Sequence, residues 1–376
     1  MAFGVFQEYY SRQPQFENNS NIAVIGACPT SIYFLGAPLS TPLVKKYQRW
    51  QRHMVVVGWA MCVVSLIAAS FASSVPGLIA TQGVMYGVGF SLLYFPLLRM
   101  LDEWFVRRRG LAYGVLAAGG GFAGVGMPFL LQILLSKYGY QTTLRAVAIG
   151  LAVLVAPVVP LIKARLPTSS HSAFQMLDLS FLSQPLFYCF ALSNLFQSFG
   201  YYIPSLFLPS FASALGLSGT IGAALLATNN FATVIGQVSF GYLSDRLNNI
   251  LILVFILPFV SSVAAFTIWG FAHSLGALIA FSFVYGWFAG AFAILWPKFG
   301  SMFSEDPQPV YSMMLFGKGI GNIAIGPISA GLLNQPFNSG YGIGKYQPLI
   351  LFLGSSMLCS SLGVLGWPLR RRQTTM

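Results

Sequence analysis

Apolar residues along the chain gather into runs of bilayer-spanning length, separated by short polar and basic interruptions. The runs fall at about 21–44, 54–74, 77–101, 110–135, 143–162, 184–211, 219–243, 250–272, 275–297, 309–333 and 347–368. A span needs roughly 20 mostly apolar residues, and in hydrocarbon a helix satisfies all its own backbone hydrogen bonds. The pattern therefore predicts an all-α membrane protein with eleven complete helices. A twelfth is suggested by Ala2 to Phe6, which at 1.5 Å per residue covers only a fraction of a bilayer. The sequence is read as entering partway through its first helix.

Composition agrees with a bilayer as the solvent. Of the 376 residues, 56% are apolar and 7% charged, against roughly 25% charged in soluble domains, which excludes a water-soluble globular protein. The net charge of +12 does not point to nucleic acid, because the basic residues sit in clusters between the apolar runs, where they orient the chain in the membrane. One set of alternating loops carries fourteen Lys and Arg (Lys45, Lys46, Arg49, Arg52, Arg107–Arg109, Lys163, Arg165, Arg246, Lys298, Arg370–Arg372). The opposite set carries four: Arg12, Lys137, Arg145 and Lys345. The positive-inside rule places the carboxy-terminus in the cytoplasm, with the plasma membrane as the expected location and the vacuolar membrane as the alternative. Asn18 then lies outside and opens a glycosylation sequon, Asn18-Asn19-Ser20, an unmodified tripeptide close to a helix start being the alternative. Cys28, Cys62, Cys189 and Cys359 all lie inside apolar runs without CxxC spacing, so neither a disulfide framework nor a metal site is expected, and no cofactor is called for.

The chain repeats itself. Gly36-Ala-Pro-Leu-Ser-Thr-Pro-Leu-Val-Lys45-Lys46 has a counterpart two hundred residues later in Gly236-Gln-Val-Ser-Phe-Gly241-Tyr-Leu-Ser-Asp245-Arg246. Gly119-Gly-Gly121 with Gly126-Met-Pro128 is echoed by Gly317-Lys-Gly319 with Gly326-Pro327. Two related halves joined by a polar stretch match the parallel-repeat layout of many secondary transporters. The expected organisation is an amino-terminal bundle over 1–162, a cytoplasmic linker over 163–182, a carboxy-terminal six-helix bundle over 183–369, and a tail over 370–376.

Lys318 carries the sharpest chemistry. A cation about nine residues into a membrane helix is costly and normally faces a cavity, a partner or a substrate. The eight acids (Glu8, Glu17, Asp102, Glu103, Asp178, Asp245, Glu305, Asp306) fall in loops or at interfaces, Glu8 excepted. Lys318 is therefore expected to attract an anionic or strongly polar substrate group; hydrogen bonding to carbonyls freed beside Gly317, Gly319 and Gly321 is the structural alternative. In the run 184–211, Asn194, Gln197, Tyr201 and Tyr202 are polar, and the first three share a helix face at i, i+3 and i+7. With Asn229, Asn230 and Asn322 they form a candidate polar lining for an oxygenated molecule, interhelical hydrogen bonding being the alternative. Gly241, Asp245 and Arg246 read as a gate segment in which the carboxylate pairs with a basic group or a helix N-terminus, a purely topological role for Arg246 being the alternative. Glu8 is the candidate for proton coupling, although a facilitated carrier fits the sequence equally well.

These residues resemble the major facilitator superfamily, in particular its fungal monocarboxylate-transporter-like branch. The matching segments are Phe3-Gly-Val-Phe-Gln-Glu-Tyr-Tyr10, Trp104-Phe-Val-Arg-Arg-Arg-Gly-Leu-Ala112, Gly241-Tyr-Leu-Ser-Asp-Arg246 and Gly319-Ile-Gly-Asn-Ile-Ala-Ile-Gly-Pro327. The resemblance implies twelve helices in two six-helix bundles around a central cavity, alternating access, and a cavity lined by the first, fourth, seventh and tenth helices. Two departures matter. The family's complete first helix and cytoplasmic tail are missing, and the run 219–243 has Gln237 and Asn229-Asn230 in place of the Asp and Arg pair of lactate-type carriers. The expected function is transport of a small organic anion or oxygenated metabolite, with protons as candidate co-substrate and export of a fungal secondary product as one form of it. A transporter-like sensor and a truncated, non-functional remnant are the alternatives. An enzyme is not expected, since clustered acids, histidines or a nucleophile with its base are lacking.

Overall fold

A computed structural model describes residues 3–11, 13, 15–16, 21–165, 179–247, 249–304, 306–333 and 340–366, with the side chains of Glu8 and Ala23 left out. Among the described residues every regular element is helical. Asn18, most of the expected linker and the expected tail lie outside them.

In chain order the α-helices are α1 (Phe3–Ser11), α2 (Ile22–Leu35), α3 (Ala37–Lys46), α4 (Gln51–Ala69), α5 (Val75–Leu78), α6 (Tyr86–Trp104), α7 (Arg109–Val155), α8 (Pro185–Tyr201), α9 (Ile203–Ala214), α10 (Gly219–Arg246), α11 (Leu251–Ala264), α12 (Leu275–Ala289), α13 (Trp296–Gly300), α14 (Gln308–Leu333) and α15 (Gln347–Ser361). Seven continuous helical stretches among the described residues are long and apolar enough to cross a membrane. The difference from the eleven expected runs has local causes. α7 with its extension to Leu161 counts as one stretch of 53 residues, about 80 Å if straight at 1.5 Å per residue, but Gly139 breaks it with φ 73 and ψ 174. A positive φ of this kind is open to glycine at little cost, and the break divides the stretch between the expected runs 110–135 and 143–162. The run 21–44 is interrupted at Gly36 between α2 and α3, and the run 184–211 at Tyr202 between α8 and α9. α14 carries Lys318 within its length.

The chain forms two compact units, one of residues 1–106 and 126–177, the other of 107–125 and 178–376. The leading part of α7 thus packs with the second unit. In the first unit the short α1 is well anchored: Phe6, Tyr10 and Phe16 are buried with Ile25, Leu78, Leu135 and Tyr140. The Tyr10 ring sits 5.6 Å from both Phe16 and Tyr140, edge to face, and its hydroxyl donates to Gln82 Oε1 at 3.0 Å. α4 and α6 approach through Gly58, where an added Cβ would meet Leu93 N at 2.6 Å and Gly89 O at 2.7 Å. Small residues at such crossings are how helices pack in lipid, where no hydrophobic force separates them from the solvent.

The second unit uses the same devices with more aromatic mass. Trp269, Phe281, Tyr285 and Phe211 are fully buried together, and Phe190 stacks on Phe299 at 4.2 Å and 7°. Buried hydroxyls tie helices across: Ser193 Oγ to Ser360 O at 2.6 Å, Ser262 Oγ to Gly354 O at 2.7 Å, and Thr233 Oγ1 to Gly286 O at 3.1 Å. Large apolar side chains on the outer faces, among them Phe71, Val153, Leu154, Phe271 and Leu365, are more than half exposed. Lipid is the solvent that makes such a surface stable. The repeat is visible in the helix starts as well. Ser74 and Ser274 cap α5 and α12, each hydroxyl accepting from the backbone N–H three residues on, at the same two-hundred-residue separation as Gly36 and Gly236.

Candidate functional site

The site around Lys318 is assembled from three places in the second unit. α14 can approach α8 closely because it has glycine at the crossing: a Cβ on Gly321 would lie 2.4 Å from Ser198 Cβ, and one on Gly317 would lie 3.0 Å from Asn194 Nδ2. Asn194 Nδ2 donates to Met314 O at 2.7 Å and fastens the two helices one turn before Lys318. α8 ends at Tyr201, and α9 restarts at Ile203 with Pro204 in its first turn. Consecutive residues of an unbroken helix point about 100° apart, so the break at Tyr202 is what turns two neighbouring rings toward one group. Tyr285 fixes that break by donating to the carbonyls of Gly200 and Tyr201 at 3.4 and 3.3 Å.

Lys318 is buried, 8% exposed, and its ammonium is surrounded by rings. Nζ lies 4.2 Å from the Tyr201 centroid, 5.4 Å from Trp296 and 5.7 Å from Tyr202. Tyr201 and Tyr202 meet edge to face at 4.8 Å, and Trp296 meets Tyr311 in the same way at 5.7 Å. No carboxylate or carbonyl among the described residues takes the ammonium. The rings supply cation–π attraction, about 2 kcal/mol for a desolvated contact. The alternative in which Lys318 bonds carbonyls of its glycine-rich helix does not describe this arrangement.

The amides on α8 and α10 are less exposed than a lining requires. Gln197 Nε2 donates to Ala289 O at 3.2 Å. The side-chain amide oxygens of Asn194, Gln197 and Asn229 are buried and find no partner among the described residues. Asn229 packs against α12, where a Cβ on Gly286 would meet its backbone oxygen at 2.3 Å. Asn230 and Asn322 are half-buried. Lys318, Asn194 and Tyr201 are thus brought together at the α8–α14 crossing, while Asn229 and the Gln197 amide are directed to α12. Glu8 belongs to α1 in the first unit. Trp296 was not picked out by the sequence pattern; its only signal is its place beside Pro297 and Lys298, at the end of an apolar run.

A second cluster surrounds Asp245. Its Oδ1 accepts from Gly110 N at 3.0 Å and its Oδ2 from Leu111 N at 2.8 Å, at the start of α7. Lys298 Nζ lies 3.5 Å from Oδ1 and also donates to Ser244 O. The first N–H groups of a helix have no intrahelical partners and carry its positive dipole end, so a carboxylate there is stabilised. Gly241 admits this contact: a Cβ on it would lie 2.6 Å from Gly110 O. Arg246 folds back over the Tyr242 ring at 4.8 Å.

Comparison with known proteins agrees with this architecture. The chain belongs to the Major Facilitator Superfamily, whose family model matches residues 13–265. It is 29% identical over 360 residues to the MFS-type transporter pynF of Aspergillus niger, covering 94% of this chain and 82% of that one. It is 26% identical over 373 residues to the fujikurins efflux protein of Gibberella fujikuroi, covering 96% and 78%. Its fold matches a crystal structure of the E. coli fucose:proton symporter FucP with a TM-score of 0.69 at 13% identity, covering 96% and 94% of the two chains. The protein is a multi-pass, all-helical membrane protein of the transporter superfamily.

Proposed function

We propose that this member of the superfamily exports a small organic anion or oxygenated metabolite by alternating access between two six-helix bundles, with Lys318 as the group that receives the anion. The observation that carries the reading is a buried ammonium held by Tyr201, Tyr202 and Trp296, with no carboxylate beside it among the described residues. Export is supported by the likeness to the fujikurins efflux protein. An anionic cargo is supported by the resemblance to the monocarboxylate-transporter-like branch, and Gln237 and Asn229-Asn230 speak against a lactate-type acid. Asn194, Gln197, Tyr201, Asn229, Asn230 and Asn322 would form the polar lining as the amides rearrange between access states, and Gly241, Asp245 and Arg246 the gate. Glu8 is the proposed proton-coupling carboxylate. The clusters of basic residues support a cytoplasmic carboxy-terminus, and we propose the plasma membrane as the location.

The test is counterflow of radiolabelled organic acids by the full chain in proteoliposomes. A hydrogen bond to a charged group is worth about 1.5–3 kcal/mol, so Lys318→Gln is expected to lower transport at least about tenfold. Lys318→Arg should retain a measurable part. Wild-type transport by Lys318→Gln, at equal protein in the vesicles, would overturn the assignment.

A further inference from the structure

We infer that the anion taken at Lys318 is a delocalised one, carried on a flat conjugated ring system that stacks among Tyr201, Tyr202 and Trp296. The inference rests on the reading of Lys318 as the substrate's counter-charge and narrows the class of substrate. Its basis is the kind of wall the ammonium is given. Three ring faces surround Nζ, at 4.2, 5.4 and 5.7 Å, and no carboxylate or carbonyl among the described residues takes it. An aromatic face is the negative part of the ring's quadrupole and its edge the positive part. A small carboxylate with its charge on two oxygens would meet the ammonium and the Trp296 N–H amid repelling ring faces, and would lose its hydration shell for little return. A conjugated acid such as an aryl carboxylate, phenolate or ring-borne enolate spreads its charge over the plane. It can lie offset on one ring, meet the edge of another and still place an oxygen against Nζ.

Two further observations fit this class. Tyr201 with Tyr202, and Trp296 with Tyr311, each meet edge to face, so the cage has two right-angled aromatic corners that accept a slab better than a sphere. The indole Nε1–H of Trp296 is buried and finds no partner among the described residues. A buried donor without a partner is costly, and the ring that faces the ammonium thus carries a donor for an oxygen on the incoming ring.

Equilibrium binding to the purified full chain in nanodiscs tests this with a matched pair of probes, 2-naphthoate and decahydro-2-naphthoate. The two acids have the same carbon skeleton and one carboxylate each, so hydrophobic burial and ionic attraction are nearly matched and the aromatic plane is the variable. The expected result is at least about tenfold tighter binding of 2-naphthoate. Tyr201→Leu should remove most of that preference and Tyr201→Phe should keep it, since the ring remains. Monodisperse elution and an unchanged thermal midpoint identify folded variants. Equal binding of the two acids, both lost in Lys318→Gln, overturns the conjugated-ring inference and leaves the anion reading standing. Binding of both acids undiminished by Lys318→Gln overturns both. Failure of the folded wild type to bind 2-naphthoate overturns the conjugated-ring inference.

Discussion

Gly36–Lys46 and Gly236–Arg246 are repeat-related ends of membrane helices that do different physical work. In the first, an added Cβ on Gly36 would meet Ile32 O at 2.4 Å, one turn back along its own chain, so the glycine serves the bend between α2 and α3. In the second, a Cβ on Gly236 would meet Trp287 O at 2.0 Å and one on Gly241 would meet Gly110 O at 2.6 Å, so the glycines admit other helices. The tenth position differs in charge: Lys45 in the first, Asp245 in the second. A lysine in the last turn of a helix agrees with that helix's negative dipole end. An aspartate there opposes its own helix and is accounted for by what it meets elsewhere, the Gly110 and Leu111 N–H groups and Lys298. The repeat has kept a backbone plan and confined the carboxylate latch to one copy.

The largest effect should come from spoiling the close approach that the second segment depends on. A Cβ on Gly114 would lie 2.4 Å from Gln237 O, one helix turn from the Asp245 contact. Overpacking of this sort costs about 1–3 kcal/mol, and here the obstacle is backbone. Gly114→Val should lower both the thermal midpoint and transport, the latter more than about tenfold. Gly120→Ala on the same helix is the control, since its Cβ would meet nothing within 4 Å, and it should be neutral or slightly stabilising. Equal damage from both would mean that α7 tolerates no side chain at either glycine, whatever it meets, and the reading of Gly114 as a helix crossing would fall.

Asp245→Asn removes the charge and keeps the shape. The amide retains one acceptor oxygen for the α7 N-terminus but loses the second acceptor and the attraction of Lys298. Charge-assisted bonds are worth about 1.5–3 kcal/mol, discounted here because Lys298 is 25% exposed and screened by solvent. Transport is expected to fall about three- to tenfold with surface expression preserved. Unchanged transport would reduce the latch to a topological leftover.

What the sequence carried and what it withheld divide along contact distance. Spans were legible because each is a local run, whereas the runs 21–44 and 184–211 read as single runs and are interrupted at Gly36 and Tyr202, where glycine and proline act on the backbone. The order Gly241, Asp245, Arg246 announced a helix-end carboxylate, but not that its partners lie 134 and 135 residues away. Lys318 stood out as a cation in an apolar run. Its cage did not, because Tyr201 and Trp296 are ordinary members of a chain with 15% aromatic residues, and only the meeting of α8, α13 and α14 makes them special. The face read from Asn194, Gln197 and Tyr201 was a local inference too. Tertiary packing splits it, directing the Gln197 amide to Ala289 and leaving Tyr201 with Lys318.

The smallest effect tests the silent copy. Lys45→Asp writes the missing carboxylate into the first segment. Within its own helix the half-buried Lys45 loses a favourable dipole contact and gains an unfavourable one, each about 0.3–1 kcal/mol, so a modest fall in thermal stability is expected. Transport should stay within about twofold, because the glycine ahead of it serves a bend and has no foreign helix against it. Asp245→Asn combined with Lys45→Asp sharpens the point. If the carboxylate works only where a glycine crossing brings a helix N-terminus to it, the double variant is as slow as Asp245→Asn alone. Recovery of transport in the double variant would mean that the first segment meets a helix start in another access state, and that the two copies are alternating latches.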